Sequence, residues 1–268
     1  MSDEPEETAE EYTDKLIEKA ARLMIDAEKV VVLTGAGVST DSGIPDFRSP
    51  DTGIWTKISP EDSRRMFTDP PIFWKIVREL APSILKAKPN KTHDIIHKLE
   101  ELGIIRTLIT QNIDGLHQQA GSRLVYELHG DAREFRCIMC HGTFDAKKII
   151  KKHKKKDDKY PPTCPQCGAA MTLNVVLFKQ QLSKGIWLES AAEAQNADVF
   201  VVIGSSLMVA PANQLPLYTK KYGGKVIIIN NSPTDLDKTA DLVLRGGSTE
   251  ILKDLYKEIK SILKERED

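Results

Sequence analysis

The stretch "LTGAGVSTDSGIPDFRS", Leu33 to Ser49, decides how the rest of the chain is read. It begins as a strand running into a phosphate-binding loop, the apolar run Val30 to Leu33 breaking into Gly35-Ala36-Gly37. A dinucleotide fingerprint would place a third glycine at the start of a helix and an acid about 20 residues further on. Thr40 stands where that glycine belongs, and the segment at the acid's place, "WTKISPED", has no strand pattern. A second polar cluster, Asp46-Phe47-Arg48, follows close behind the glycines instead. The loop therefore reads as a nucleotide site built for something other than hydride transfer.

Five further apolar or β-branched runs end, like the first, in glycine or polar residues: "IIRTLITQNID", "RLVYELHG", "DVFVVIGSS", "KVIIINN" and "DLVLRGG". Helical segments separate several of them, at Thr92 to Leu102, Glu189 to Ala197 and Pro211 to Tyr222. Continuous apolar strands alternating with helices predict an α/β fold with a parallel sheet covered on both faces. Ligands of such sheets bind beyond the carboxyl ends of the strands, so these polar tails should meet in one crevice. The candidate cofactor contacts follow from that placement. Gly35, Ala36 and Gly37 let backbone amides approach a pyrophosphate, and Ser39 adds a hydroxyl donor. Gln111, Asn112, Ile113 and Asp114 form the second tail, and Gly204, Ser205 and Ser206 repeat the glycine–hydroxyl chemistry on a later strand. Asn230 is placed to bond a ribose hydroxyl, with Asn231 and Ser232 beside it and Ser248 beyond the last strand. His129 ends the third run, precedes Gly130 and should face the same crevice. A histidine there can act as a general base near neutral pH. The five other histidines have no comparable placement.

Two segments interrupt the alternation. Residues 51–89 are proline-rich and helical, and residues 133–173 hold all four cysteines, so both read as insertions that form a smaller lobe. The nucleotide domain then comprises residues 12–50, 90–132 and 174–268, with a disordered tail at 1–11. Cys137 with Cys140 and Cys164 with Cys167 make two C-x-x-C pairs at a zinc-ribbon spacing. Four thiolates close a tetrahedral shell and leave no open position, so the metal they predict is structural. A redox dithiol or a chance pairing is the alternative.

The 268 residues can bury an ample core, and a net charge of −1 argues against nucleic acid as a direct ligand. The lysine run Lys147 to Lys159 reads as a solvated surface. No apolar stretch approaches the roughly 18 residues of a membrane span. The acidic start "MSDEPEETAEEY" is unlike an export signal, so the expected address is cytoplasmic.

Taken together, "GAGVSTDSGIPDFRS", "TQNID", "LHG", the paired C-x-x-C, "GSSL" with "VAP", and "IN" with Thr234 four residues after Asn230 resemble the sirtuins, NAD-dependent protein deacylases. The resemblance runs from about Ala21 to Leu252 in the family's order. It implies a Rossmann-like parallel-sheet domain with a small lobe made of a zinc ribbon and a helical insertion. It also implies NAD as co-substrate, structural zinc, and an acyl-lysine protein or peptide as partner. Asp46, Phe47 and Arg48 would cover the nicotinamide half, Phe47 shielding the reactive carbon and Arg48 contacting phosphate. Asn112 and Asp114 would orient ribose and carboxamide, and His129 would deprotonate the ribose hydroxyls. Val176, Phe178 and Val209 would meet the substrate. Lys179 and Gln180 stand where the family carries glycine and an acid, a departure that bears on peptide choice. The family's acidic-acyl removers carry a Tyr-x-x-Arg that the helical insertion lacks, which favours simple acyl groups. Mono-ADP-ribosyl transfer from the same site, or a non-catalytic NAD-sensing zinc-ribbon module, are the competing readings.

Overall fold

The apolar runs become strands because they are buried on both faces. The computed structural model describes residues 9–46, 69–152, 161–177 and 180–268. In chain order its strands are β1 (Val30–Thr34), β2 (Ile105–Thr110), β3 (Val125–Glu127), β4 (Gly130–Cys137), β5 (Thr143–Asp145), β6 (Met171–Val175), β7 (Val199–Ile203), β8 (Lys225–Asn230) and β9 (Leu242–Arg245). Six of them form a parallel sheet in the order β3-β2-β1-β7-β8-β9. Every residue of the central strands β1 and β7 is buried. The pleat sends successive side chains to opposite faces. Val30 and Val32 therefore enter one core with Ile96, Leu99, Leu255 and Ile259, while Val31 and Leu33 enter the other with Ala191, Ala194 and Leu215.

The helices differ from the sequence reading mainly at their ends. The first runs Ala9–Asp26, so the expected tail at 1–11 is too long: acidic residues such as Glu11 suit a helix's first turn, where they face its positive end. Residues 1–8 lie outside the described residues. Lys91–Glu101 starts one residue early, capped by the Asn90 side chain, which accepts from Thr92 N at 2.9 Å. Lys184–Gln195 begins five residues before Glu189, because the lysine and glycine that open it look like loop in the sequence. The expected helix Pro211 to Tyr222 is a 3₁₀ turn, Ala212–Gln214, followed by a helix, Leu215–Lys221, with Pro216 in its first turn, where the missing N–H costs nothing. The last helix is Ser248–Glu267.

The other three strands form a separate antiparallel sheet, β5-β4-β6. Only Leu128 and His129 connect β3 to β4, so the chain passes from one sheet to the other across the candidate base. The small sheet shares a core with helices Pro70–Lys86 and Ala146–Lys152, including Phe73, Trp74, Phe135, Ile150, Met171 and Leu173. Trp74 meets Phe135 edge-on at 5.8 Å. The helical insertion and the cysteine segment are thus one packed body. Residues 51–68 of that insertion, and 153–159 of the lysine run, lie outside the described residues. Among the described residues no helix is long and apolar enough to cross a membrane.

Candidate active site

The crevice floor is made by the loops after β1 and β7. Gly35 N donates to Ile203 O at 3.0 Å, and Gly37 N donates to Gly204 O at 2.9 Å. A Cβ at Gly35 would lie 2.7 Å from Gly204 O, and one at Gly37 would lie 2.9 Å from Gly204 Cα. The glycines therefore let two main chains touch. Both of their N–H groups are bonded within this floor. Val38 N and Ser39 N are likewise engaged, by Gly35 O and Ala36 O. Ala36 N is left as the loop's available donor among the described residues.

Ser39 is engaged within the crevice as well. Its hydroxyl donates to Asp114 Oδ2 at 2.7 Å and accepts from Asn112 Nδ2 at 3.2 Å. Asn112 Nδ2 donates to Gly35 O as well, at 3.1 Å, which leaves Asn112 Oδ1 as its group for a ligand. Asp114 Oδ1 accepts from Leu116 N at 2.9 Å. Asn112, Asp114 and Ser39 are all buried, and together they tie the β2 tail to the β1 tail. Ile113 turns the other way, packing against the small sheet's core, and its carbonyl accepts from Ala132 N at 2.9 Å.

Beneath this knot lies a polar layer that sequence reasoning passed over. Thr34 donates to Thr110 Oγ1 at 2.8 Å, so its oxygen accepts from His117 Nε2 at 2.9 Å. Thr110 Oγ1 in turn accepts from Asn112 N at 3.0 Å. The His117 ring is 4.8 Å from His93, and Asn90, beside His93, donates to Val38 O at 2.8 Å. Burial, and then neighbouring His93, push the His117 pKa down to about 3. Burial lowers His93 too. These groups are neutral supports. The available signal was two threonines, Thr34 and Thr110, immediately ahead of the polar tails.

His129 sits at the end of β3 with Nδ1 2.8 Å from Gln111 O. A carbonyl only accepts, so Nδ1 carries the hydrogen and the neutral ring's lone pair lies on Nε2. Burial lowers the His129 pKa while the Gln111 bond raises it, and burial prevails. The imidazole is therefore neutral near pH 7 and able to accept a proton. Gln111 Nε2 donates to Ser205 Oγ at 2.7 Å, joining the β2 and β7 tails. Gly130 follows at φ +81, and a Cβ there would lie 2.3 Å from Asn174 O on β6.

The remaining candidates surround this centre. Asn230 ends β8 and donates to Ser232 O at 2.7 Å, while Asn231 and Ser232 are exposed. Ser248 opens the last helix, its hydroxyl 3.3 Å from that of Thr92. Ser206 and Val209 lie on the loop after β7, and Val176 N donates to His129 O at 2.8 Å. Asp46 ends the first described segment. Phe47, Arg48, Phe178 and Lys179 lie outside the described residues. Gln180 Oε1 accepts from Leu177 N at 2.9 Å, so the residue in the acid's place closes on its own strand.

At the far end of β4, roughly 26 Å of strand from His129, the sulfurs of Cys137, Cys140, Cys164 and Cys167 lie within 4.8 Å of one another. The Cys137–Cys167 and Cys140–Cys164 separations are 3.4 and 3.7 Å. A tetrahedral ion with bonds of about 2.3 Å to sulfur needs edges of about 3.8 Å. The donor set therefore fits zinc. Met139 N and Cys140 N both point at Cys137 Sγ, at 3.4 Å, as suits a thiolate.

A family model described as the Sir2 family matches residues 35–211. The NAD-dependent protein deacetylase of Sulfurisphaera tokodaii is 43% identical over 247 residues, which cover 91% of this chain and 96% of the relative. NAD-dependent protein deacylase 2 of Archaeoglobus fulgidus is 40% identical, covering 93% and 98%. A solved Sir2 complex with a p53 peptide and NAD+ superposes with a TM-score of 0.82 at 37% identity, covering 92% and 99%. A Sir2 complex with deacetylated p53 peptide and 3'-O-acetyl ADP ribose reaches 0.83 at 37% identity, covering 90% and 98%.

Proposed function

This chain belongs to the Sir2 family, and from that membership we infer how its own residues carry the reaction. It is an NAD-dependent protein-lysine deacylase that releases nicotinamide and O-acyl-ADP-ribose. NAD supplies the ribose that receives the acyl group. The Ala36 amide, with Gly204 and Ser205 opposite, approaches the pyrophosphate. Asn112 Oδ1 and the Asp114 carboxylate, already oriented by Ser39, grip the nicotinamide ribose and carboxamide, with Gln111 and the buried threonines fixing the β2 tail. The family resemblance assigns Asp46, Phe47 and Arg48 to that half of NAD. Asn230, Asn231, Ser232 and Ser248 hold the adenosine end. Val176, Phe178 and Val209 flank the acyl-lysine, whose peptide lies along the strand edge.

His129 Nε2 takes the proton from a ribose hydroxyl once nicotinamide has left, so that the hydroxyl oxygen can attack the acyl carbon. The observation that supports this role is the Nδ1–Gln111 bond, which fixes the tautomer and leaves the lone pair on Nε2. The chain's structural zinc would be held by Cys137, Cys140, Cys164 and Cys167, and we place the division between the lobes at 51–89 and 133–173. Incubation with NAD and acetyl-lysine peptide, with products read by mass spectrometry, tests the assignment. Wild type should yield O-acetyl-ADP-ribose and His129→Ala should not. Product from the variant at the wild-type rate would remove His129 from the mechanism.

A further inference from the structure

The loop that follows β8 has little to hold its shape. Asn231, Ser232 and Pro233 are exposed, and no residue between 231 and 240 is buried. Leu236 and Ala240 pack partly against the neighbouring core, and hydrogen bonds hold the rest, three of them from one side chain. Arg245 ends β9 in register with Asn230. Its guanidinium donates through Nη1 to Asn230 O at 3.1 Å and to Ser232 O, and through Nη2 to Asp237 Oδ2 at 2.5 Å. Asp237 passes the restraint on: its Oδ1 accepts from Thr234 Oγ1 at 2.7 Å and its Oδ2 from Thr234 N at 3.2 Å. Asn230 Nδ2 donates to Ser232 O, closing the loop from inside.

We infer that Arg245 is a positioning residue for NAD, clamping the loop from Asn230 to Asp237 into the shape that receives the adenosine ribose. This rests on the reading that Asn230, Asn231 and Ser232 grip that ribose. Three acceptors at different angles need a planar fork of donors; an ammonium could satisfy them only in part. Burial alone would push the Asp237 carboxyl up, but the Thr234 hydroxyl and amide and then Arg245 outweigh it and hold it below the usual carboxylate range. The carboxylate thus stays charged across the working pH range and the clamp stays closed. Arg245 also leads directly into Gly246, whose N–H bonds Asn230 O at 3.4 Å, and on to Ser248. One residue therefore joins the two loops assigned to the adenosine end.

The clamp acts by keeping the binding-competent loop populated, and apparent affinity falls in proportion to that population. Steady-state kinetics on the zinc-loaded full chain, together with calorimetric titration of ADP-ribose, test it. In Arg245→Met the KM for NAD and the Kd for ADP-ribose should rise about tenfold, as for a loop competent about a tenth of the time. The kcat at saturating NAD and the KM for acetyl-lysine peptide should stay within about twofold, because a positioning effect on one substrate leaves the other untouched. Arg245→Lys should fall between the two. Asn230→Ala tests the underlying reading separately. If it leaves the KM for NAD unchanged, the ribose assignment is wrong and the inference goes with it. If Asn230→Ala raises that KM and Arg245→Met does not, the clamp alone is refuted. A parallel loss of kcat, peptide affinity and melting temperature in Arg245→Met would show a general structural role and overturn the inference too.

Discussion

The two sheets are held by different forces. The six-stranded sheet buries whole strands: β1 and β7 have no exposed residue, and large side chains such as Phe200, Leu33 and Ile203 are almost fully removed from water. Each contributes about 1.5–3 kcal/mol, and there are enough of them that no one group is decisive. The three-stranded sheet has a small core, with short strands such as Thr143–Asp145 whose ends are exposed. At its end away from His129, four sulfurs converge where apolar side chains would otherwise have to. The crevice depends on the first sheet for support, yet His129, the proposed base, stands where the chain crosses to the second. Apolar burial gives a rigid support for binding NAD, and the metal organises the part that apolar burial cannot.

Metal removal should break that contrast most sharply. Zinc binding is worth about 10–16 kcal/mol in isolated zinc-finger peptides, and here much of it is folding energy of the small sheet. Chelation, or Cys164→Ser, should therefore create a second calorimetric transition at lower temperature while the parallel sheet melts late. A single unchanged transition would show that the small sheet does not need the ion. Next in size is the base. His129→Ala should lower kcat by about 10²–10⁴-fold while the Kd for NAD stays near wild type. A proportionate loss of NAD affinity would mean that the imidazole binds NAD instead of moving a proton.

Gly37→Ala addresses the large sheet's tolerance. Its Cβ would lie 2.9 Å from the Gly204 main chain, which cannot swing away as a side chain could. Overpacking of this kind costs about 1–3 kcal/mol, so the late transition should move down and the early one should not. Movement of the early transition alone would contradict this allocation. The smallest effect is on acid stability. His117 has a folded pKa of about 3, below an unfolded value near 6.5, so the unfolded chain binds the extra proton between these limits. The stability from keeping it neutral is complete above about pH 6.5 and is lost as pH falls, at about 1.4 kcal/mol per unit. His93, lowered in the same direction, adds to this. His117→Gln, which can still donate to Thr34, should flatten the acid limb of a stability–pH curve. An equally steep limb in that variant would assign the loss to other groups.

The same contrast explains what was legible in the sequence. The six parallel strands could be read because a strand buried on both faces is a continuous apolar run, and their polar tails showed where the crevice lies. The cysteine spacing pointed to the metal site for a similar reason, since two C-x-x-C pairs at a zinc-ribbon spacing have few other uses. Roles inside the crevice were harder. Ser39 and the glycines read as phosphate ligands in one dimension, where the bond from Ser39 to Asp114, 75 residues away, is invisible. The glycines meet a loop that is remote in sequence. Thr34 and Thr110, polar residues at strand ends, and His117, on the short helix Leu116–Ala120, are each ordinary in the sequence until their partners are known.

The contact between Gly35, Gly37 and Gly204 bears on how such an enzyme can diversify. A floor made of main chain offers no side chain to exchange. A Cβ at Gly204 would itself lie 2.8 Å from Val38 N, so each of the three positions blocks change at the others. Drift is left to residues outside that floor, and in the sequence Lys179 and Gln180 already differ from the pattern the family carries. New substrate preferences can accumulate there one residue at a time, while the bond-breaking centre is inherited as a unit.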